Sequence, residues 1–221
     1  MKVCTDSCLF GAWVAHTMEQ KNLNPKNILD IGTGTGLLSL MLAQKTNSSI
    51  DAIEINGDAY TQTLENFKAS LWSKRLNVFH ADIKKWQAPH NYDLIICNPP
   101  FYENDLLPKD EQKNISKHSQ ALSLEELLFV VQNLLSEDGN FAILLPSNRA
   151  TWFEKKALNY SLFTKECIQV TQTTKHDFFR TIFILKKKKT VPVRETISIK
   201  NDGNNYTPEF MELLKDYYLY L

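Results

Sequence analysis

Up to residue 159, apolar runs alternate with amphipathic stretches along the chain. The run NILDI (27–31) leads through a glycine-rich turn into LLSLMLAQK (37–45), whose apolar spacing is typical of a helix. The other apolar runs each predict a strand, and they are SIDAIEI (49–55), NVFHAD (77–82), YDLIICN (92–98) and FAILLP (141–146). Helical patterns cover residues 58–71, 123–135 and 147–159. This order predicts an α/β fold with a doubly wound, mostly parallel sheet.

The rest of the chain has a different pattern. Two runs rich in β-forming residues, CIQVTQT (167–173) and TIFILKK (181–187), predict an antiparallel hairpin at the edge of the sheet. The lysines at 186–189 fit a charged guard on that edge, and residues 206–221 predict a helical tail. We therefore expect one domain, residues 1–221, with a Rossmann-like sheet of seven strands that includes the edge hairpin.

Composition disfavours several classes of protein. The 221 residues contain 25 Lys and Arg and 25 Asp and Glu, so net charge gives no indication of a nucleic-acid partner. No apolar run approaches the length of a membrane span, and the first residues lack a signal-peptide pattern. The four cysteines form no CxxC pair, so we expect reduced thiols and no metal site. A cytoplasmic protein is predicted, with no membrane and no obligatory protein partner.

Three alternating glycines, Gly32, Gly34 and Gly36, occupy the first strand-to-helix turn. Because glycine has no Cβ, the backbone of such a turn can approach a ligand closely at the start of a helix. A dinucleotide-binding turn more often has GxGxxG, whereas this turn continues with Leu37. The GxGxG spacing after Asp30 favours the methyltransferase form, in which the loop surrounds the methionine part of the cofactor. A merely tight βα turn is the alternative.

Two acidic residues end the next two predicted strands. Glu54 follows the glycine turn by about 20 residues. In nucleotide-binding α/β folds, an acidic residue at this sequence spacing accepts hydrogen bonds from the ribose hydroxyls. Asp82 could accept a hydrogen bond from the amino group of the cofactor adenine. Either acid alone could equally be a solvated residue at a strand end. Three such features at successive strand ends indicate one ligand site, since open α/β sheets bind ligands at their carboxyl edge.

The motif Asn98-Pro99-Pro100-Phe101 ends the fourth predicted strand. The prolines stiffen the turn, while the Asn98 side-chain oxygen and a backbone carbonyl can both accept hydrogen bonds from one amino group. Two acceptors draw the nitrogen lone pair out of conjugation, which makes the nitrogen a better nucleophile toward a sulfonium methyl group. Phe101 offers a face for purine stacking, worth about 1–3 kcal/mol per base. The motif predicts methyl transfer to an exocyclic amino nitrogen by positioning and polarisation.

Together these motifs resemble the amino-methyltransferases of the Asn-Pro-Pro-Phe/Tyr type. KVCTDSCLFGAW (2–13) and YTPEFMELLKDYYL (206–219) narrow the resemblance to the bacterial tRNA1(Val) adenine-N6 methyltransferases, over almost the whole chain. The resemblance implies a class I methyltransferase fold, S-adenosyl-L-methionine as cofactor, and the adenine beside the anticodon of a valine tRNA as substrate. It implies that Asn98, Pro99 and Phe101 are catalytic and that Pro100 contacts the target base. The implied cofactor-binding residues are Thr5, Asp6, Asp30, Gly32, Gly34, Gly36, Glu54 and Asp82.

Two departures from the family pattern affect the N-terminal segment, residues 1–22, which is expected to close over the cofactor. Ser7 stands where the family usually has Gly, so we expect the turn there to differ. The family usually also has residues before this segment, and we expect RNA contacts from them to be lost.

Contacts with tRNA must come from local clusters of basic residues, because phosphate neutralisation dominates nucleic-acid affinity. Lys109, Lys113 and Lys117 recur every four residues and would form one stripe if this stretch is helical. This stripe and Arg180 are the predicted phosphate contacts, with a solvated helix face as the alternative. Aromatic residues in strands usually pack, so Phe178 and its neighbour Phe179 are expected in the core rather than stacked on bases.

Four other functions stay open on the sequence alone. A protein glutamine-N5 methyltransferase acting on release factors uses the same Asn-Pro-Pro chemistry, and so does any other nucleic-acid amino-methyltransferase. Phe101 disfavours the glutamine enzymes, which generally have Tyr there. A nicotinamide oxidoreductase would use only the glycine turn, and a silent module would bind cofactor without transferring a methyl group.

Overall fold

A computed structural model describes residues 4–100 and 122–220 of the chain. Helices and strands alternate as the sequence pattern predicts, and a short 3-10 turn at Ser73–Arg75 precedes the third strand. In chain order the elements are α1 (Thr5–Gln20), β1 (Asn27–Ile31), α2 (Leu37–Lys45), β2 (Ser49–Glu54), α3 (Gly57–Ala69), β3 (Leu76–His80), β4 (Tyr92–Cys97), α4 (Leu124–Leu134), β5 (Leu135–Pro146), α5 (Ser147–Leu158), β6 (Phe163–Thr173), β7 (Phe178–Lys186), β8 (Val193–Lys200) and α6 (Pro208–Leu214).

The strands described form one sheet with the order β3-β2-β1-β4-β5-β7-β6-β8. Strands β1 to β5 are parallel, and β7 pairs antiparallel with both β5 and β6. The predicted doubly wound sheet and its antiparallel hairpin are therefore confirmed. The predicted count of seven strands is wrong, because β8 adds an eighth that runs parallel to β6. Consequently β8, and not the hairpin, forms that edge of the sheet.

The register brings three strand ends together where the order of the strands reverses. Ile31 at the end of β1 pairs with Ile53 of β2 and with Cys97 of β4. The residues that come directly after this row are Gly32, Glu54 and Asn98. Ligands of open α/β sheets bind at such a switch point, outside the carboxyl ends of the strands. The three main candidate motifs thus share one edge of the sheet.

Helices cover both faces of the sheet, and the sheet separates two apolar cores. One core joins the sheet to α1, α2 and α6, with Phe67 of α3, and the other joins it to α4 and α5. The N-terminal segment, for which the sequence pattern indicated neither helix nor strand, forms helix α1. Residues 8–15 of α1 are all buried, because neighbours surround this part of the helix. Burial on every side removes the polar face on which a periodicity signal depends.

Both ends of α4 agree with the predicted range 123–135 to within one residue, but β5 begins earlier than predicted, at Leu135. Ser123 caps the helix and forms a capping box with Glu126. Asp138-Gly139, a pair typical of turns, lies inside β5, after the helix has ended at Leu134. Here the register against β4 shifts, so the extra residues bulge out of the strand. Turns favour Asp and Gly, so the sequence pattern predicted that the strand begins only after them, at residue 141.

Candidate active site

The glycine turn has the left-handed backbone that its composition predicts. Gly32, Gly34 and Gly36 have φ of 69°, 63° and 82°, a region that side-chain-bearing residues rarely adopt. A Cβ added to Gly32 would meet no atom within 4 Å, whereas one added to Gly36 would lie 2.6 Å from the Phe67 ring. The first glycine therefore faces open space and the third packs against α3. The loop leaves room for a ligand on one side only.

Asp30, near the end of β1, holds the glycine loop through side-chain hydrogen bonds. It is fully buried, and its Oδ2 accepts hydrogen bonds from the Thr33 hydroxyl at 2.6 Å and the Ser39 hydroxyl at 2.7 Å. Burial, and to a lesser extent the nearby Glu54 carboxylate, raises the pKa of Asp30 to about 6. The predicted cofactor-binding role of Asp30 stays a prediction, and its contacts in the structure are to the loop and to α2.

Helix α3 holds the other side of the loop through contacts that the sequence pattern did not predict. The buried Thr63 hydroxyl donates to the Gly34 carbonyl at 2.6 Å, and the Asn66 amide donates to the Thr35 carbonyl at 2.8 Å. Both side chains lie on the face of α3 that carries Phe67. The glycine loop is thus a preorganised structure, held by three elements.

Glu54 lies at the end of β2, as predicted, and is only 7% exposed. Its two oxygens accept hydrogen bonds from the backbone N–H groups of Gly34, at 2.8 Å, and Asn56, at 2.9 Å. A carboxylate has about four acceptor positions, so capacity remains for ribose hydroxyls. The carboxylate also fixes the middle of the glycine loop directly.

Asp82 is two residues beyond the end of β3, and the predicted strand is therefore too long. The half-buried Asp82 begins a turn, and its side chain accepts the Lys84 backbone N–H at 3.0 Å. The neighbouring Ala81 N–H donates to the Glu54 carbonyl at 3.0 Å, so this turn lies beside the end of β2. Asp82 remains the predicted partner of the cofactor adenine.

Asn98 has one satisfied and one unsatisfied side-chain atom. Its Nδ2 donates to the Ser7 hydroxyl at 2.8 Å. Its Oδ1 is shielded from solvent and has no hydrogen-bond partner within residues 4–100 and 122–220. A buried acceptor without a donor costs about 1–3 kcal/mol, which an amino group placed there would recover. Burial raises the pKa of the adjacent Cys97 thiol, so this group stays neutral and is a poor nucleophile.

The first turn of α1 approaches this site from the side. Ser7, where the sequence predicted an altered turn, is helical and contacts Asn98. Asp6 accepts a hydrogen bond from Arg180 Nε at 2.8 Å, which ties α1 to the start of β7. Thr5 is exposed. Binding of the cofactor by Thr5 and Asp6, and of phosphate by Arg180, stays predicted, with Arg180 already engaged by Asp6.

The predicted RNA contacts fall partly outside the described residues. Phe101, Lys109, Lys113 and Lys117 all lie there. Phe178 is 41% exposed, so its predicted place in the core is wrong. Phe179 is partly buried against the core, as predicted, and the Arg180 guanidinium lies 5.2 Å from the centre of its ring.

Comparison with known proteins agrees with this geometry. Residues 11–150 match the model of the methyltransferase small domain family. A tRNA1(Val) (adenine(37)-N6)-methyltransferase of Flavobacterium johnsoniae is 38% identical over 99% of this chain and 93% of its own length. A protein of the same name from Trichodesmium erythraeum is 39% identical over 99% of this chain and 91% of its own length. The chain belongs to this methyltransferase family.

Solved structures show the same fold at low sequence identity. An S-adenosylmethionine-dependent methyltransferase of Clostridium acetobutylicum has a TM-score of 0.59 and 14% identity, covering 82% of this chain and 92% of that chain. A protein described as a predicted O-methyltransferase, from Agrobacterium tumefaciens, has a TM-score of 0.65 and 13% identity, covering 86% of this chain and 88% of that chain.

S-adenosylmethionine is the methyl donor of this methyltransferase, and the site fits it. The open side of the glycine loop, the Glu54 carboxylate and the shielded Asn98 oxygen are all at the carboxyl edge of the sheet. No cluster of His, Cys, Asp and Glu suited to a metal ion occurs in the described residues. Among those residues there is also no helix long and apolar enough to cross a membrane.

Proposed function

We propose that this methyltransferase modifies N6 of the adenine beside the anticodon of a valine tRNA, in the cytoplasm. The observation that carries the proposal is the Asn98 oxygen, which is shielded and unsatisfied beside the glycine loop. The names of the relatives that match over nearly the full chain support adenine in tRNA as the acceptor.

Each side chain has a defined task in this reaction. Bound S-adenosylmethionine supplies an electrophilic methyl group on a sulfonium sulfur. The glycine loop and Glu54 bind and orient the cofactor, while Asn98 Oδ1 accepts a hydrogen bond from the target amino group. Accepting this hydrogen bond localises the nitrogen lone pair and favours transfer, after which the nitrogen loses its proton to solvent. The work is positioning and polarisation, with no strong base.

The first test uses tRNA that lacks the modification. Purified protein, labelled S-adenosylmethionine and an unmodified valine tRNA transcript should yield label in N6-methyladenosine after digestion to nucleosides. A transcript with guanine at the position beside the anticodon should receive no label. In a parallel reaction with a release factor in place of the transcript, label in a glutamine side chain would instead identify the protein as a glutamine methyltransferase.

The second test separates the tasks of Asn98 and Glu54. Asn98→Ala removes the acceptor, together with the Nδ2 hydrogen bond to Ser7, and leaves the glycine loop and Glu54 in place, so turnover should fall about 100-fold while affinity for S-adenosylmethionine is nearly unchanged. Glu54→Gln weakens a charged acceptor, so affinity for the cofactor should fall about tenfold. Calorimetry gives the affinities and single-turnover kinetics give the rates. Loss of cofactor binding in Asn98→Ala would contradict the assigned role.

A further inference from the structure

The Asn98 amide can present either of two atoms to the acceptor. Rotation by half a turn about the bond to the amide exchanges Oδ1, which accepts hydrogen bonds, with Nδ2, which donates them. An amino group placed against Nδ2 would meet a second donor, and its lone pair would be drawn the wrong way. Transfer therefore requires some group to fix the orientation of the amide.

Ser7 is in contact with the atom that must face away from the acceptor. The Ser7 hydroxyl accepts the hydrogen bond from Nδ2 at 2.8 Å, and this leaves Oδ1 as the unsatisfied atom. The two residues are 91 positions apart in the sequence, so the contact depends on the packing of α1 against the sheet.

The start of α1 is held firmly enough for this contact to be specific. The buried residues that begin at Cys8 anchor the helix in the core. The ion pair of Asp6 with Arg180, at 2.8 Å, fixes the first turn against β7. A hydroxyl that is already immobilised loses little conformational freedom when it forms a hydrogen bond, so more of the energy of the contact goes into orienting the amide.

We propose that Ser7 is a positioning residue, whose hydroxyl fixes the Asn98 amide with Oδ1 turned toward the target amino group. This inference rests on the proposed transfer to an amino nitrogen. It assigns to the first turn of α1 a part in the rate of methyl transfer that is separate from cofactor binding.

The central experiment compares Ser7→Ala with wild type under saturating S-adenosylmethionine and tRNA. Without the hydroxyl, the amide populates the wrong orientation, and turnover should fall about twofold to tenfold. The affinity for S-adenosylmethionine and the KM for tRNA should stay at their wild-type values. Ser7→Thr keeps the hydroxyl and should restore most of the turnover. Unchanged turnover in Ser7→Ala, or a loss that Ser7→Thr does not restore, would overturn the proposal.

A symmetric side chain at position 98 distinguishes orientation from simple support of the helix. In Asn98→Asp the two carboxylate oxygens are equivalent, so no orientation remains to be fixed. The effect of Ser7→Ala should then nearly vanish in the Asn98→Asp background. An equal effect in both backgrounds would show that Ser7 only supports α1, and the proposal would fail.

Ser48→Ala is the matched control. The buried Ser48 hydroxyl also makes one hydrogen bond, to the Pro25 carbonyl at 2.5 Å, but it lies before β2 at the opposite edge of the sheet. Its loss should lower stability and leave turnover unchanged, whereas a fall in turnover like that of Ser7→Ala would contradict a specific role for Ser7. Formation of N6-methyladenosine by wild type tests the proposed function separately. If wild type methylates a glutamine amide instead, the same variants test Ser7 on that acceptor.

Discussion

Gly32 and Gly36 have similar backbone angles but opposite surroundings, so the same substitution should have different effects. Gly36→Ala places a Cβ 2.6 Å from the Phe67 ring and should lower the free energy of unfolding by about 2–4 kcal/mol, from overpacking and left-handed strain. Gly32→Ala adds its Cβ to open space, so only the strain, about 1–2 kcal/mol, should appear. Urea unfolding of both variants measures the difference.

A substitution that fills the open space beside Gly32 should weaken cofactor binding. Gly32→Ala should weaken affinity for S-adenosylmethionine about tenfold, or about 1.4 kcal/mol, because the new methyl group occupies the open side of the loop. Calorimetry on the folded variant gives this value. Wild-type affinity in Gly32→Ala would mean that the cofactor approaches the loop from elsewhere.

Individual site residues could be predicted from the sequence where their neighbours in the chain form a motif, and could not be predicted where their partners are distant in the chain. The glycines follow a strand directly, and Asn98 is followed by two prolines, so each belongs to a motif of adjacent residues. Thr63 and Ser7 have no such context. Their partners are 29 and 91 positions away, and only the packing of α3 and α1 brings them to the site.

Among the elements, the junction of β1 with α2 should respond to pH. Folded Asp30 has a pKa of about 6 against an ordinary 3.8, so the folded protein holds this proton more tightly than the unfolded chain. The contribution of protonated Asp30 to the free energy of unfolding is therefore fully present below about pH 4 and is lost as pH rises through about 6. This contribution changes by about 3 kcal/mol. Asp30→Asn keeps an acceptor for Thr33 and Ser39 and removes the titration. Urea unfolding from pH 4 to 7.5 should show a decline in wild type that the variant lacks.

Other carboxyl groups titrate in both proteins, so the effect of Asp30 is obtained by subtracting the free energy of unfolding of the variant from that of wild type at each pH. The wild-type free energy of unfolding minus that of Asp30→Asn should fall across this range. Parallel profiles for the two proteins would show that burial of Asp30 has no such effect.

Elements with a clear local signal could be predicted, whether a cap or a continuous apolar run, and elements without one were missed. The capping box at Ser123 and the apolar run of β4 are local signals. Strand β8 is different, because its first four residues, from Val193, are exposed and only its last four alternate. Helix α1 has buried residues nearly all round. Neither pattern has the period on which prediction relies.

For the whole molecule, the question is which surface receives tRNA. The turn between β6 and β7 lies at the same edge as Asn98, since Pro146 at the end of β5 pairs with Arg180 at the start of β7. Lys175 in this turn is exposed, and so is Phe178, the first residue of β7. Exposed aromatic rings and cations on one surface are a combination that binds unpaired bases.

Phe178→Ala should raise the KM for tRNA about fivefold or more, since stacking of one base contributes about 1–3 kcal/mol. Lys175→Ala should weaken binding less, because Lys175 already pairs with Asp202 at 3.2 Å, and it should reduce the salt dependence of binding. Steady-state kinetics at several salt concentrations test both. Phe129→Ala is the control, because Phe129 is 59% exposed on α4. Equal effects at Phe178 and Phe129 would contradict a specific surface.

Helix α6 packs on α1 and continues into contacts with α2, where Lys45 pairs with Asp216 at 2.6 Å across 171 positions. During synthesis, α1 therefore leaves the ribosome long before α6, and the part of its apolar surface that α6 covers stays uncovered until then. Since α1 also carries Ser7, a nascent chain that already has its glycine loop and Asn98 in place still lacks the gain in turnover, about twofold to tenfold, that we assign to Ser7, until α6 is made and holds α1.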